Sequence, residues 1–316
     1  MPIRVMAHLL PFISRHARVC LMLGLAAGLL LPALAGAMAP WLPMMVAVLL
    51  TITALRIGHH AARGAAQDLR WGLVAVGVLQ LGVPLSCLGA LTLAGLAQTP
   101  AALAVILATS APAISGSTNL ALLLGLDAGR MMQIMVLGTA AFPLTVLPVL
   151  LLAPQIGSPA DVIISAGLVL AVILSATAFG FVLRATLFPK PSAPQIAALD
   201  GASVLAFCII VVALMAPLNE ALREAPAQVA LWALLAFTIS YGLQAITLFA
   251  LRNTALRPVA GPLAIGAGNR NIALFLVALP PETIAPLLIF IGCWQLPMYL
   301  TPILLPALYR KALTDG

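Results

Sequence analysis

Ser110-Ala111-Pro112-Ala113-Ile114-Ser115-Gly116-Ser117-Thr118-Asn119 interrupts an apolar run from Pro100 to Leu126, and Gly261-Pro262 with Gly266-Ala267-Gly268-Asn269-Arg270-Asn271 interrupts another from Val259 to Leu279. Each run is long enough to cross a bilayer, which takes about 20 residues. Proline removes a backbone donor and glycine weakens a turn, so both helices are expected to unwind there and free backbone groups near mid-membrane. Helix ends at such breaks carry partial charges that suit ions and polar solutes. Gly, Ser and Pro also kink membrane helices or let them pack closely. The binding reading is preferred because the two breaks occupy equivalent places in the chain.

Composition requires a membrane around these helices. Of 316 residues, 63% are hydrophobic and 7% charged, with mean hydropathy +1.16. That is more apolar surface than one soluble core of this length hides. The net charge of +7 does not point to nucleic acid, because the basic residues are scattered between apolar runs and few aromatics accompany them. Cys20, Cys87, Cys208 and Cys293 each lie in an apolar run without metal-ligand spacing and read as packing residues. His8, His16, His59 and His60 fall in the N-terminus and second connection, away from any ligand cluster. No G-x-x-x-x-G-K-S/T or H-E-x-x-H motif is present, and no paired carboxylates or nucleophile converge, so an enzyme or ATP-driven pump is not expected.

Ten spans can be drawn: Val19–Ala35, Trp41–Ile57, Trp71–Leu96, Pro100–Leu126, Met131–Ala153, Val162–Leu183, Ile196–Leu218, Ala227–Leu251, Val259–Leu279 and Thr283–Leu308. Arg4, Arg15 and Arg18 before an apolar run ending near Ala33-Leu34-Ala35 resemble a signal peptide, but the charge count works only if that span stays. With the N-terminus inside, thirteen basic residues fall on the cytoplasmic side (Arg4, Arg15, Arg18, Arg56, Arg63, Arg70, Arg130, Arg184, Lys190, Arg252, Arg257, Arg310, Lys311) and only Arg223 outside. The expected location is a bacterial-type inner membrane, multi-pass, with both termini cytoplasmic.

The halves resemble each other. Thr118-Asn119-Leu120-Ala121-Leu122-Leu123-Leu124 aligns with Arg270-Asn271-Ile272-Ala273-Leu274-Phe275-Leu276 at an offset of 152, and Pro143-x4-Pro148 with Pro297-x4-Pro302 at 154. Because five is odd, the second set starts on the opposite side of the membrane, so the repeat is inverted, an architecture of secondary transporters. The division is a cytoplasmic tail 1–18, a first five-helix repeat 19–153, a second 160–308 and a cytoplasmic tail 309–316. The fold class is thus an all-α polytopic membrane protein, five plus five, with helices four and nine broken.

Arg270 is the residue most costly to bury in lipid, so it must face a cavity or a partner. It could bind a carboxylate or sulfonate through its fork, or pair structurally with carbonyls freed by the break. Asp200, the only acid well inside an apolar run, offers a proton relay or a solvated or capping role about one turn from the cytoplasmic end. Glu220, Glu224 and Glu282 sit at outer ends.

Two motifs carry a resemblance to the bile acid:sodium symporter family. Pro112…Ser117-Thr118…Asp127 resembles its P-G-G-T-A-S-N…G-D with the same Pro-to-Asp spacing, and Gly268-Asn269-Arg270-Asn271 resembles its G-M-Q-N. The resemblance implies ten helices, crossed broken helices four and nine, and a panel of helices one, two, six and seven against a core of three to five and eight to ten. It also implies organic-anion substrates held between panel and core. The departures are chemical. The family's sodium-binding glutamate falls on Gly266 and its glutamine on Arg270; its span-five hydroxyls fall on Met131 and Met135, poor ligands for a hard cation. Ser117, with Thr118 or Asn119, keeps sodium-site character, and Gln80 corresponds to a further ligand at a spacing to Pro84 that differs by one residue.

The expected function is secondary transport of a small or amphipathic organic anion by alternating access, without cofactor and without family-type Na+ coupling, the drive being the anion's gradient, protons or exchange. Candidate substrate-binding residues are Ser115, Ser117, Thr118, Asn119, Asn269, Arg270 and Asn271. Arg270→Gln is expected to weaken transport with folding intact. The alternatives are a sodium symporter with a rearranged ion site, or a non-transporting receptor or assembly protein of the same fold. Partners are the solute and the bilayer, not nucleic acid, and oligomeric state is left open.

Overall fold

The computed structural model describes residues 2–65, 68–153, 156 and 158–314; the side chains of Arg4, His8, Arg18, His59, His60 and Arg63 lie outside the described set. The chain is 86% helical with no strand among the described residues. In order the helices are α1 (Pro2–Arg15), α2 (Ala17–Leu30), α3 (Pro32–Met38), α4 (Leu42–Ala65), α5 (Leu69–Gly77), α6 (Val83–Leu93), α7 (Pro100–Ser110), α8 (Ser117–Leu123) and α9 (Ala128–Leu152). They continue as α10 (Pro159–Leu187), α11 (Ala193–Leu214), α12 (Ala216–Glu224), α13 (Pro226–Leu251), α14 (Arg257–Gly268), α15 (Phe275–Ala278), α16 (Pro281–Ile284), α17 (Leu288–Leu304) and α18 (Pro306–Thr314). Seven described helices are long and apolar enough to cross a membrane, or eight if the bent pair Leu9–Arg15 and Val19–Leu30 is one span. This is the make-up of a multi-pass membrane protein.

The stretch 1–18, expected as a cytoplasmic tail, is largely helical: α1 occupies most of it, meets α2 at a bend of 93° and packs on α11. Residues 309–314 lie in α18, with Tyr309 buried.

The chain forms two compact units. The first comprises Met1–Arg63 and Ala171–Val229, and in it α11 packs against α1, α2 and α3. Within α4, Gly58 takes φ 70° and ψ 160°, a conformation that breaks the helix and that only glycine adopts without strain. Arg184 serves the turn before this break, its Nη1 donating to Leu55 O at 3.1 Å and Arg56 O at 3.2 Å. The Arg56 side chain itself pairs with Asp200, both being partly exposed. Asp200 therefore has an ion-pair partner inside the first unit, next to the break in α4.

The second unit comprises Gly64–Leu170 and Ala230–Gly316 and contains both interrupted runs. At one end of it Arg130 ties the start of α9 to that of α5: Nη1 donates to Asp68 Oδ2 at 2.9 Å and to Gln133 Oε1 at 3.1 Å, and the guanidinium lies 4.5 Å above the Trp71 ring. Asp127 caps α9, accepting Arg130 N at 2.9 Å.

Candidate functional site

The two interrupted runs meet inside the second unit. Thr99 starts α7, its Oγ1 accepting Ala102 N at 3.2 Å, with Pro100 in the first turn where a missing N–H is harmless. The helix stops because Ala111 precedes a proline. Steric exclusion from the α region sets Ala111 at φ −59°, ψ 151°, and Pro112 has no N–H to continue the ladder. α14 ends at Gly268, with Asn269 at φ −110°, ψ 84°. Between these ends the chains pair antiparallel at Ala113 and Arg270. Ile114 N donates to Asn269 O at 3.0 Å and Asn271 N to Pro112 O at 2.8 Å. Backbone bonds lost inside the two helices are thus recovered between them, as a buried backbone requires.

Arg270 satisfies three further carbonyls: Nε donates to Ala267 O, Nη1 to Ala111 O and Nη2 to Leu79 O, each at 2.9 Å. Ala111 and Ala267 stand at the carboxyl ends of α7 and α14, where carbonyls lack helical donors and the helix dipole is negative. Leu79 lies in a π-turn, Val78–Gly82, between α5 and α6. There Val83 N bonds Val78 O, five residues back. The donor in that register for Leu79 O would be residue 84, a proline without an N–H. The guanidinium supplies it. Trp294 Nε1 in turn donates to Arg270 O at 3.0 Å.

Of the two roles open to Arg270 from sequence, the geometry gives the pairing with carbonyls. Its side chain is 1% exposed, three of its N–H directions are occupied by backbone, and no carboxylate lies within ion-pair distance among the described residues. Its guanidinium is thus held by backbone on three sides in this conformation. Asn269 is also engaged: Nδ2 donates to Ile265 O at 3.3 Å and Oδ1 accepts from Thr301 Oγ1 at 3.1 Å. Gln80 Oε1 accepts from Thr145 Oγ1 at 2.7 Å, so this candidate ion ligand is bound within the protein.

The remaining candidates cluster after Pro112. Ser117 is fully buried and its Oγ has no hydrogen-bond partner among the described residues. Thr118 is buried, with Oγ1 directed at Met135 Sδ at 4.0 Å. Asn271 is buried at the crossover, and Ser115 and Asn119 are half-buried. Asp200 belongs to the other unit.

Three of the positions matching the family's sodium ligands, Met131, Met135 and Gly266, offer no side-chain oxygen to a hard cation. Met131 and Met135 are buried, and a side chain at Gly266 would meet Ile134, Leu79 and Met131, all apolar. The crossover's cation is part of the chain.

Several residues of this centre were missed from sequence: Trp294, Ser240, Gln244, Thr301 and Tyr309. Gln244 is a lone amide in an apolar run, a signal by which it could have been found. Compared with models of known families and with curated proteins, the chain matches none.

Proposed function

We propose that this chain is a secondary transporter of a small or amphipathic organic anion, of the bile acid:sodium symporter type but without that family's sodium coupling. The observation that carries the reading is the crossover itself, two interrupted helices paired at Ala113 and Arg270 with a guanidinium on their carboxyl ends. Broken helices joined inside a membrane core are a device of carriers that rock one bundle against another.

Further support comes from the halves. Seven long helices and the bent pair of α1 and α2, counted with α7/α8 and α14/α15 as two interrupted spans, are compatible with ten. Each half sets a buried glutamine of its third span beside a threonine of its fifth: Thr145 Oγ1 to Gln80 Oε1 at 2.7 Å, and Gln244 Nε2 to Thr301 Oγ1 at 3.5 Å. The first compact unit contains the first two spans, the seventh and part of the sixth, close to the panel that the family resemblance implies. The charge asymmetry supports an N-terminus inside and cytoplasmic ends, and apolar helical spans suit an inner membrane.

In this reading the fixed charge of Arg270 makes the crossover net positive without a mobile ion, and Ser117 Oγ, Thr118 and Asn271 are the polar groups left for a solute. Uptake of a panel of radiolabelled organic anions into proteoliposomes, with sodium replaced by choline, tests it. Flux undiminished in choline is expected; strict sodium dependence would show an ion site rearranged around Arg270 instead.

A further inference from the structure

The end of α14 is held from a side that plays no part in the crossover pairing. Gly268 lies so close to α13 that any side chain there would collide with Ser240 O and the Gln244 side chain. Ser240 Oγ donates to Gly268 O at 2.8 Å. Gln244 Nε2 donates to Ser240 O at 3.2 Å and, over a longer 3.5 Å, to Thr301 Oγ1, whose one proton is shared between Pro297 O at 2.9 Å and Asn269 Oδ1 at 3.1 Å. The other end of the same amide, Oε1, accepts from Tyr309 Oη of α18 at 2.8 Å. None of Ser240, Gln244, Asn269, Thr301 and Tyr309 is more than 2% exposed, so water cannot replace a lost partner.

An amide has one accepting and one donating end, so the group that donates to Oε1 decides where Nε2 points. Burial pushes the Tyr309 phenol above its ordinary value, so it keeps the proton that it donates to Oε1. α18 also holds the opposite end of α14, where Arg257 Nη2 donates to Leu313 O at 2.6 Å.

We propose that the carboxy-terminal helix α18 is a splint on α14, with Gln244, oriented by Tyr309, the positioning residue that sets Asn269 at the crossover. The two crossover amides, Ile114 N and Asn271 N, report on this directly because each bonds to the opposite interrupted segment.

The test is hydrogen–deuterium exchange of the purified full chain, wild type against Tyr309→Phe, Thr301→Val and Thr301→Ser. Tyr309→Phe and Thr301→Val are expected to speed exchange about tenfold in peptides covering 112–116 and 266–273 while α5 and α11 keep wild-type rates. Thr301→Ser, which keeps the hydroxyl, should behave as wild type. Unchanged exchange at the crossover in the two disruptive variants overturns the proposal, as does a uniform rise across the second unit, the mark of a merely structural role. Tyr309→Phe should also lower the maximal rate of anion flux more than it raises KM, a consequence that rests on the transport reading. Absence of flux in the wild type would count against that reading alone, since the exchange result stands without it.

Discussion

One side chain satisfies carbonyls from three segments that no local donor reaches. Leaving a buried carbonyl unpaired costs about 1–3 kcal/mol, so removing the guanidinium exposes the protein to that penalty up to three times over. This changes the expectation for Arg270→Gln, which was loss of transport with an intact fold. A glutamine amide has two N–H groups and a shorter reach, so the variant is expected to melt several degrees below wild type in detergent as well as to lose flux. Arg270→Ala should regain melting temperature when guanidinium ion is added at millimolar, non-denaturing concentration. A wild-type melting curve for Arg270→Gln would remove the role given to these three bonds. Arg270→Lys should not rescue, because a point ammonium cannot address acceptors arranged for a planar fork.

At the scale of elements, proline and its absent N–H do most of the shaping. Pro112 ends α7, and Pro84 keeps the π-turn from bonding Leu79 O. The breaks were legible because proline and glycine stand out in apolar runs. The partners of Arg270 were not, since a carbonyl has no residue identity to read, and the π-turn depends on a hydrogen-bond register that Pro84 alone does not specify. Tyr309 escaped notice because basic neighbours made α18 look like a solvated tail. Unit one offers a comparable break in α4. Alanine at Gly58 would have to adopt a positive φ costing about 1–3 kcal/mol, and its Cβ would press on the Arg184 side chain that serves Leu55 O and Arg56 O. Gly58→Ala should therefore lower the thermal midpoint, and a midpoint equal to wild type would mean that the helix straightens there without cost.

For the whole molecule, the charge asymmetry predicts sidedness. In a cysteine-free background, Gln98→Cys should react with a membrane-impermeant maleimide added to intact cells, whereas Ser192→Cys should react only after permeabilisation. The reverse pattern would invert the topology, and equal labelling of both would break the ten-span count. The sidedness also bears on energetics if the protein is a carrier. A carrier draws work from an ion gradient only by binding the ion on one side and releasing it on the other. The cation at this crossover is joined to the chain by covalent bonds and has no release step, so it can shape affinity yet transfer no energy. Unless protons or a counter-solute supply the drive, accumulation would stop where the anion's own electrochemical potential is equal on the two sides, and a protein built this way would equilibrate its solute instead of concentrating it.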